Sequence, residues 1–188
     1  MQLKGLFIAA LVATLGAGAA HAAGDDGETQ LSIWAGEQYL RVNHDVHFRD
    51  ETHKHDQLMT GVSLAHRWPA GFYLEGGFET ATHETDNGKD NDFTVDHYSA
   101  AIGWQFDSNR WSFTPKIGVT QSQLGNDARL LIDENGDRVF HLSDTVGYVG
   151  LDAQVRVGRR MMLGASLRDT DEDWGHTRSA AFRMSFLW

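Results

Sequence analysis

The last seven residues, 182–188, constrain the fold of this chain more than any other segment. Every second position carries a large apolar side chain, and this stripe consists of Phe182, Met184, Phe186 and Trp188. Side chains alternate between the two faces of a β-strand, so Arg183 and Ser185 must point the opposite way. The segment therefore predicts a strand that separates an apolar medium from a polar interior.

The first 22 residues have the pattern of a secretory signal peptide. Lys4 precedes the apolar stretch 5–20, and Ala20-His21-Ala22 is a small-x-small cleavage pattern. The pattern predicts a leader of residues 1–22 and a mature domain of residues 23–188. Beyond the leader, no apolar run reaches the roughly 18 to 20 residues that a membrane-spanning helix requires.

The composition excludes several classes of function. The chain has no cysteine, so disulfides and thiolate metal sites are not available. Without Lys4, 15 basic residues face 26 acidic residues, a net charge of −11. Such an acidic chain repels the phosphates of nucleic acid, and we expect no nucleic-acid partner.

Segments of period-2 alternation recur eight times between turn residues. They cover residues 30–42, 56–68, 72–82, 93–106, 111–123, 142–157, 160–169 and 177–188. Short turns alternate with long polar segments, at 43–55, 83–92, 124–141 and 170–176. This rhythm predicts an all-β fold, an eight-stranded antiparallel up-and-down transmembrane β-barrel with short turns on the inner side of the membrane. Asn135-Gly136 predicts a hairpin that prolongs the fifth and sixth strands as a ribbon.

A soluble antiparallel barrel or sandwich is the structural alternative. It would expose the polar face to water, where Lys and Glu are common. That face is instead rich in small residues, among them Gly61, Ser63, Gly77, Ser99 and Gly150. The sequence therefore favours the membrane barrel.

The same alternation sends four acidic and five basic side chains inward. These are Glu37, Arg41, Glu75, Glu79, Lys116, Asp152, Arg156, Arg168 and Arg183. Strand 1 is ambiguous, since placing Glu37 and Arg41 inside turns Trp34, Leu40 and Val42 outward. An eight-stranded barrel has room for little more than its own side chains, so buried charges must pair. We expect a salt-bridged plug; a narrow channel would require the pairs to exchange partners.

The eight-strand rhythm, the charged lumen and the terminal Phe186-Leu187-Trp188 resemble the small outer-membrane barrels of the OmpA-transmembrane, OmpX/Ail and opacity-protein group. The resemblance covers the mature chain. It implies a bacterial outer-membrane protein that is surrounded by lipopolysaccharide and assembled with periplasmic chaperones. It also implies a role in envelope integrity or adhesion, with an extracellular ligand as a possible partner. The apolar stripe of the last strand resembles the signal that the barrel-assembly machinery reads.

Histidine is enriched in the long segments. Four of these residues crowd into the first one: His44, His47, His53 and His55. Imidazoles beside carboxylates bind zinc, copper or nickel. The spacing fixes no tetrahedral set, and polar outer loops accept such residues freely. We therefore expect a solvated loop with no metal and no cofactor, and a metal-binding surface protein is an alternative.

Two further alternatives involve the lumen. His97 and Ser99 have a His-x-Ser spacing similar to that of lipid A deacylases of the PagL type, but here both residues point inward rather than toward lipid. Uptake of hydrophobic molecules, as in OmpW-like barrels, would use an apolar upper lumen, for which Met59 and Tyr148 supply a little lining. The charged layer argues against passage, so we expect a barrel that is not an enzyme.

Overall fold

The computed structural model describes residues 27–42, 46–48, 56–83, 93–126, 131–133, 141–173 and 175–188. The predicted signal peptide and three of the loop histidines, His44, His53 and His55, lie outside these residues. None of the described residues belongs to a helix long and apolar enough to cross a membrane.

Eight long strands form the wall of a closed barrel. They are β1 (Glu28–Val42), β3 (Asp56–Arg67), β4 (Phe72–His83), β5 (Phe93–Trp104), β7 (Trp111–Asn126), β9 (His141–Arg156), β10 (Met161–Glu172) and β11 (Gly175–Leu187). Three short strands accompany them: β2 (Val46–Phe48), β6 (Phe106–Ser108) and β8 (Leu131–Asp133). Each long strand pairs antiparallel with the next, and β1 pairs with β11. The predicted eight-stranded up-and-down barrel is confirmed.

The two ends of the chain close the barrel. The register of β1 and β11 runs from Gln30 opposite Leu187 to Val42 opposite Gly175. Beyond it, Thr29 N donates to Trp188 O at 2.9 Å, and Trp188 N donates to Thr29 O at 3.0 Å. The terminal residue is therefore hydrogen-bonded into the wall, and closure leaves no edge between the first and last strands.

The outer face carries a belt of exposed apolar side chains. It includes Leu31, Ile33, Val62, Ile102, Ile117, Val119, Val149, Leu167, Phe182 and Phe186. Aromatic side chains mark the end of the belt on the side of the short turns, namely Trp104, Phe106, Trp111, Phe113 and Trp188. An apolar band with an aromatic girdle is the surface that a barrel presents to lipid.

The face of β1 differs from the expectation. Glu37 and Arg41 lie on the outer, exposed face, whereas Gln38 and Leu40 are buried inside. The cause is the register with β11: Trp34 lies opposite Arg183, and directly opposed residues share a face of the sheet. Because Arg183 points inward, the even-numbered residues of β1 must do so as well. Glu37 and Arg41 are therefore not part of the lumen, and their predicted place there was wrong.

The structure describes the third long segment only in part, so the predicted ribbon is not tested. The described pairing of β7 with β9 extends to Gly125 opposite His141. Further out, β8 pairs with β2 of the first long segment, with His47 opposite Ile132. Two outer segments that are distant in sequence are thus joined by backbone hydrogen bonds, and the predicted turn at Asn135-Gly136 lies outside the described residues.

Candidate functional site: the polar lumen

Four charged side chains meet at the centre of the lumen, and we call them the central ion cluster: Glu75, Lys116, Asp152 and Arg183. Lys116 Nζ lies 2.6 Å from Glu75 Oε1 and 3.0 Å from Asp152 Oδ2. Arg183 Nη1 lies 2.7 Å from Asp152 Oδ2, and Arg183 Nη2 forms an ion pair with Glu75 Oε2. All four side chains are at least 95% buried. Two acids and two bases thus neutralise one another.

The wall leaves space for this cluster because glycines flank Lys116. Lys116 pairs with Gly103 of β5 and Gly150 of β9. A Cβ added at Gly150 would come within 3.0 Å of Lys116 Cε, and one at Gly103 within 3.0 Å of Lys116 Cβ. The lysine side chain therefore runs across positions where any larger residue would crowd it.

Hydroxyl groups donate hydrogen bonds to the carboxylate oxygens of Glu75 and Asp152. Ser166 Oγ donates to Asp152 Oδ1 at 2.6 Å, and Tyr73 OH donates to Glu75 Oε2 at 2.8 Å. Ser63 Oγ donates to the same Glu75 oxygen at 3.1 Å. Buried charges are tolerated when they are both paired and hydrogen-bonded, and this cluster meets both conditions.

A looser layer lies beside the cluster on the outer side. Arg168 Nη1 is 3.9 Å from Glu79 Oε2, and Trp34 Nε1 donates to that same oxygen at 3.1 Å. The Arg168 guanidinium lies 4.0 Å from the centre of the Tyr148 ring, a cation–π distance. The predicted lumen residues Glu79 and Arg168 thus form a pair that is longer than any pair of the central ion cluster.

A chain of hydrogen bonds occupies the outer end of the lumen. Gln38 Nε2 lies 2.8 Å from His97 Nε2, and His97 Nδ1 lies 2.9 Å from Ser122 Oγ. Ser122 donates to Glu172 Oε1 at 3.1 Å, and Thr177 donates to Glu172 Oε2 at 3.1 Å. Because the Gln38 amide donates to His97 Nε2, the ring proton lies on Nδ1, which donates to Ser122 Oγ. Each hydrogen bond from Gln38 onward therefore points toward Glu172. Sequence reasoning missed Gln38, Ser122 and Glu172.

The two residues of the His-x-Ser motif have different partners. His97 is 1% exposed and contacts Gln38 and Ser122, whereas Ser99 Oγ lies 3.5 Å from the Gly77 carbonyl oxygen. Nothing in the described part of the chain joins His97 to Ser99 by a hydrogen bond. Both lie on the lumen side of β5, away from the apolar belt.

A third set of charges lies at the end of the lumen with the short turns. Arg67 Nη1 is 2.5 Å from Asp107 Oδ2 and 3.8 Å from Glu28 Oε2. Arg156 Nη2 is 3.4 Å from the same Glu28 oxygen. These side chains are 22 to 37% exposed, so water screens them more than the central ion cluster. Of this set, the sequence analysis identified only Arg156.

The residues that the structure describes do not test the metal site that the clustered histidines suggest. They contain no group of three or more His, Asp or Glu side chains that could hold a metal ion. Of the four clustered histidines only His47 falls within these ranges, in β2.

Comparison with known proteins identifies the family. A family model for the outer membrane protein beta-barrel domain matches residues 7–187. This chain belongs to that family. Membership places the outer-membrane barrel in the bacterial outer membrane, with the apolar belt in contact with lipid.

Solved structures share the fold of this outer-membrane barrel at low sequence identity. Ail, the attachment invasion locus protein of Yersinia pestis, has a TM-score of 0.61 at 13% identity, over 86% of this chain and 99% of Ail. Neisserial surface protein A has a TM-score of 0.64 at 10% identity, over 84% and 96% of the two chains. A major outer membrane protein of Thermus thermophilus has a TM-score of 0.51 at 10% identity, over 85% and 99%. No curated protein matches the chain.

Proposed function

We propose that this protein is a non-conducting outer-membrane barrel that supports the envelope or attaches the cell surface to a partner through its outer loops. The central ion cluster carries the proposal. Paired charges fill the lumen where a channel would need open space, so the wall and its plug form one rigid support for the outer loops.

The spacing of the charges supports a permanent plug. Each carboxylate of the central ion cluster contacts both cations, so moving any one side chain breaks two ion pairs at once. An ion that entered would have to replace these pairs inside a low-dielectric wall, where an unpaired charge costs several kcal/mol. The cavity beside the cluster measures only about 20 Å³. A continuous aqueous path would need far more.

The outer segments supply the surface for interaction. In 43–55, 84–92 and 127–140, Asp and Glu outnumber Lys and Arg. Acidic loops repel bare phosphates, so divalent cations would bridge them to the phosphates of surrounding lipopolysaccharide. Such bridges would tie the barrel to its neighbours in the outer leaflet, which is the envelope-supporting role.

The acidity of the outer segments also bears on the charge of an extracellular ligand. Ail was solved in complex with the heparin analogue sucrose octasulfate, a polyanion. The present chain has a formal net charge of −10, with acidic outer segments. We infer that its extracellular ligand is neutral or cationic.

Lipid A hydrolysis is the enzymatic alternative, and the geometry gives it no specific support. A nucleophile for acyl chains must face the outer leaflet, whereas Ser99 Oγ points into the lumen, 3.5 Å from the Gly77 carbonyl oxygen. The candidate base His97 is 1% exposed within the lumen. Its ring is engaged by Gln38 and Ser122. Incubating the refolded protein with lipid A and analysing the products by mass spectrometry tests this alternative, and we expect intact lipid A.

Two measurements test the proposed function. Liposomes that contain the refolded protein should swell no faster than empty liposomes in isosmotic arabinose or glycine, since the lumen is closed. In cells, loss of the protein should sensitise the outer membrane to detergent or chelator. A variant with Asp86, Asp90 and Asp92 changed to Asn should restore less resistance than the wild type. Rapid swelling would refute the plug, and full resistance of the deletion strain would refute envelope support.

A further inference from the structure

A small cavity lies between the central ion cluster and the looser pair of Glu79 and Arg168. Its volume is about 20 Å³, and its wall includes Trp34, Ser99 and Tyr148 as well as the two charged residues. A cavity needs roughly 10 to 15 Å³ for the centre of one water molecule, so this one is large enough for a single water.

The two charged residues of the wall have polar atoms without a protein partner. Glu79 Oε1 is buried and accepts no hydrogen bond from any described residue. The donors Arg168 Nε and Nη2 are also buried, and neither donates a hydrogen bond to any described residue. Glu79 is 4% exposed, and the Arg168 side chain is 11% exposed. A buried polar atom without a partner destabilises the folded protein, and more strongly when it belongs to a charged group.

We propose that this cavity binds one water molecule, which accepts a hydrogen bond from Arg168 and donates one to Glu79 Oε1. The proposal rests on the cavity and its wall, and it does not depend on the proposed function.

The chemistry of the wall selects water over an ion. A halide would accept hydrogen bonds from Arg168 but would be repelled by Glu79, whose Oε1 would stay unpartnered. A sodium ion would bind Glu79 and be repelled by Arg168. Water alone both donates and accepts at this size, and a buried water usually makes about three hydrogen bonds. The long Glu79–Arg168 separation of 3.9 Å then has a cause, because the water bridges the pair.

The water also accounts for the difference between the two layers. The central ion cluster needs no bridge, since its charges touch one another and the surrounding hydroxyl groups. No hydroxyl group of the described residues donates to Glu79 Oε1, and the water takes that place.

A high-resolution crystal structure of the refolded protein tests the site directly. We expect one peak of electron density about 2.7 to 3.2 Å from both Glu79 Oε1 and an Arg168 nitrogen. Crystals grown in sodium bromide should show no anomalous signal there. An empty cavity would overturn the proposal, and so would a bromide peak, which would make the occupant an anion.

A thermodynamic cycle gives a second, independent readout. Ser99→Val adds apolar volume to the cavity and should expel the water, which lowers the urea midpoint of unfolding. Ser112→Val is the matched control, since Ser112 is a buried serine that does not line the cavity. The Glu79→Leu/Arg168→Met variant lacks the polar atoms that bind the water. Adding Ser99→Val to this variant should therefore lower the urea midpoint much less than adding it to the wild type. An equal loss in both backgrounds would show that the valine acts by crowding alone and would contradict the proposal.

Discussion

Arg183 Nη1 lies 2.7 Å from Asp152 Oδ2, although β10 separates their strands in the barrel wall. The bond therefore bridges over β10 on the inner face of the wall. Lys116, on β7, contacts the same Asp152 oxygen. Glu75, on β4, is the fourth member of the cluster and pairs with Lys116. Four strands are thus connected through the interior as well as through their backbone ladders, and stability should depend on each member.

Removing one member of the central ion cluster should destabilise the barrel strongly. Arg183→Ala leaves Glu75 and Asp152 with one cation between them, and an unpaired buried charge costs about 3 to 5 kcal/mol. Urea unfolding of the refolded protein in lipid vesicles measures this loss. Arg41→Ala is the control, since Arg41 lies on the exposed outer face and should change stability by no more than about 0.5 kcal/mol. Equal stability of Arg183→Ala and the wild type would contradict the paired lumen.

The orientation of β1 can be tested by cysteine labelling, because the chain has no native cysteine. Glu37→Cys should react rapidly with a thiol reagent in the folded barrel, since position 37 is exposed. Gln38→Cys should react only after unfolding, since Gln38 is 1% exposed inside the lumen. The reverse pattern would show that β1 presents its odd-numbered residues to the lumen.

The terminal aromatic residue should control assembly. Trp188 is 60% exposed at the aromatic girdle, and its backbone pairs with Thr29. Trp188→Asp introduces a charge at the lipid boundary and removes the last residue of the stripe formed with Phe182, Met184 and Phe186. Its outer-membrane level should fall sharply, while Trp188→Phe should remain near wild type. Quantitative blotting of membrane fractions measures both, and normal levels of Trp188→Asp would refute an assembly role.

The clustered histidines should bind metal only weakly. We expect calorimetry with zinc or copper at about pH 7.5 to show no saturable site, because the spacing of the four histidines in the sequence fixes no tetrahedral ligand set. A one-to-one isotherm would establish a site if it vanished when His44, His47, His53 and His55 were all changed to Ala. Such binding should also weaken below about pH 6, as imidazole protonates.

The barrel could be predicted because alternation is a local property of the sequence. All eight long strands follow period-2 segments, and the observed strand ends lie within three residues of the predicted ones. The inward positions of Glu75, Lys116, Asp152 and Arg183 likewise follow from alternation on strands with a clear apolar face. These residues carry the proposed plug.

The remaining features depend on pairing between distant segments. The face of β1 is set by its register with β11, which the alternation of 36–41 alone does not reveal. Glu172 escaped notice because it ends β10 within a segment predicted to be a loop, and only closure brings Ser122 beside it. The contact of β2 with β8 joins segments about 85 residues apart, and no local pattern encodes it.

Planar-bilayer recording of the wild-type barrel tests the sealed lumen most directly. The charges of the central ion cluster stay paired across the lumen, so the account predicts no steady current above the baseline at moderate voltage. A Lys116→Ala/Glu75→Ala double variant removes one base and one acid and should raise conductance if it folds, which checks that the recording can detect an opened lumen. Steady, large currents from the unmodified protein, similar to those of porins, would contradict the account.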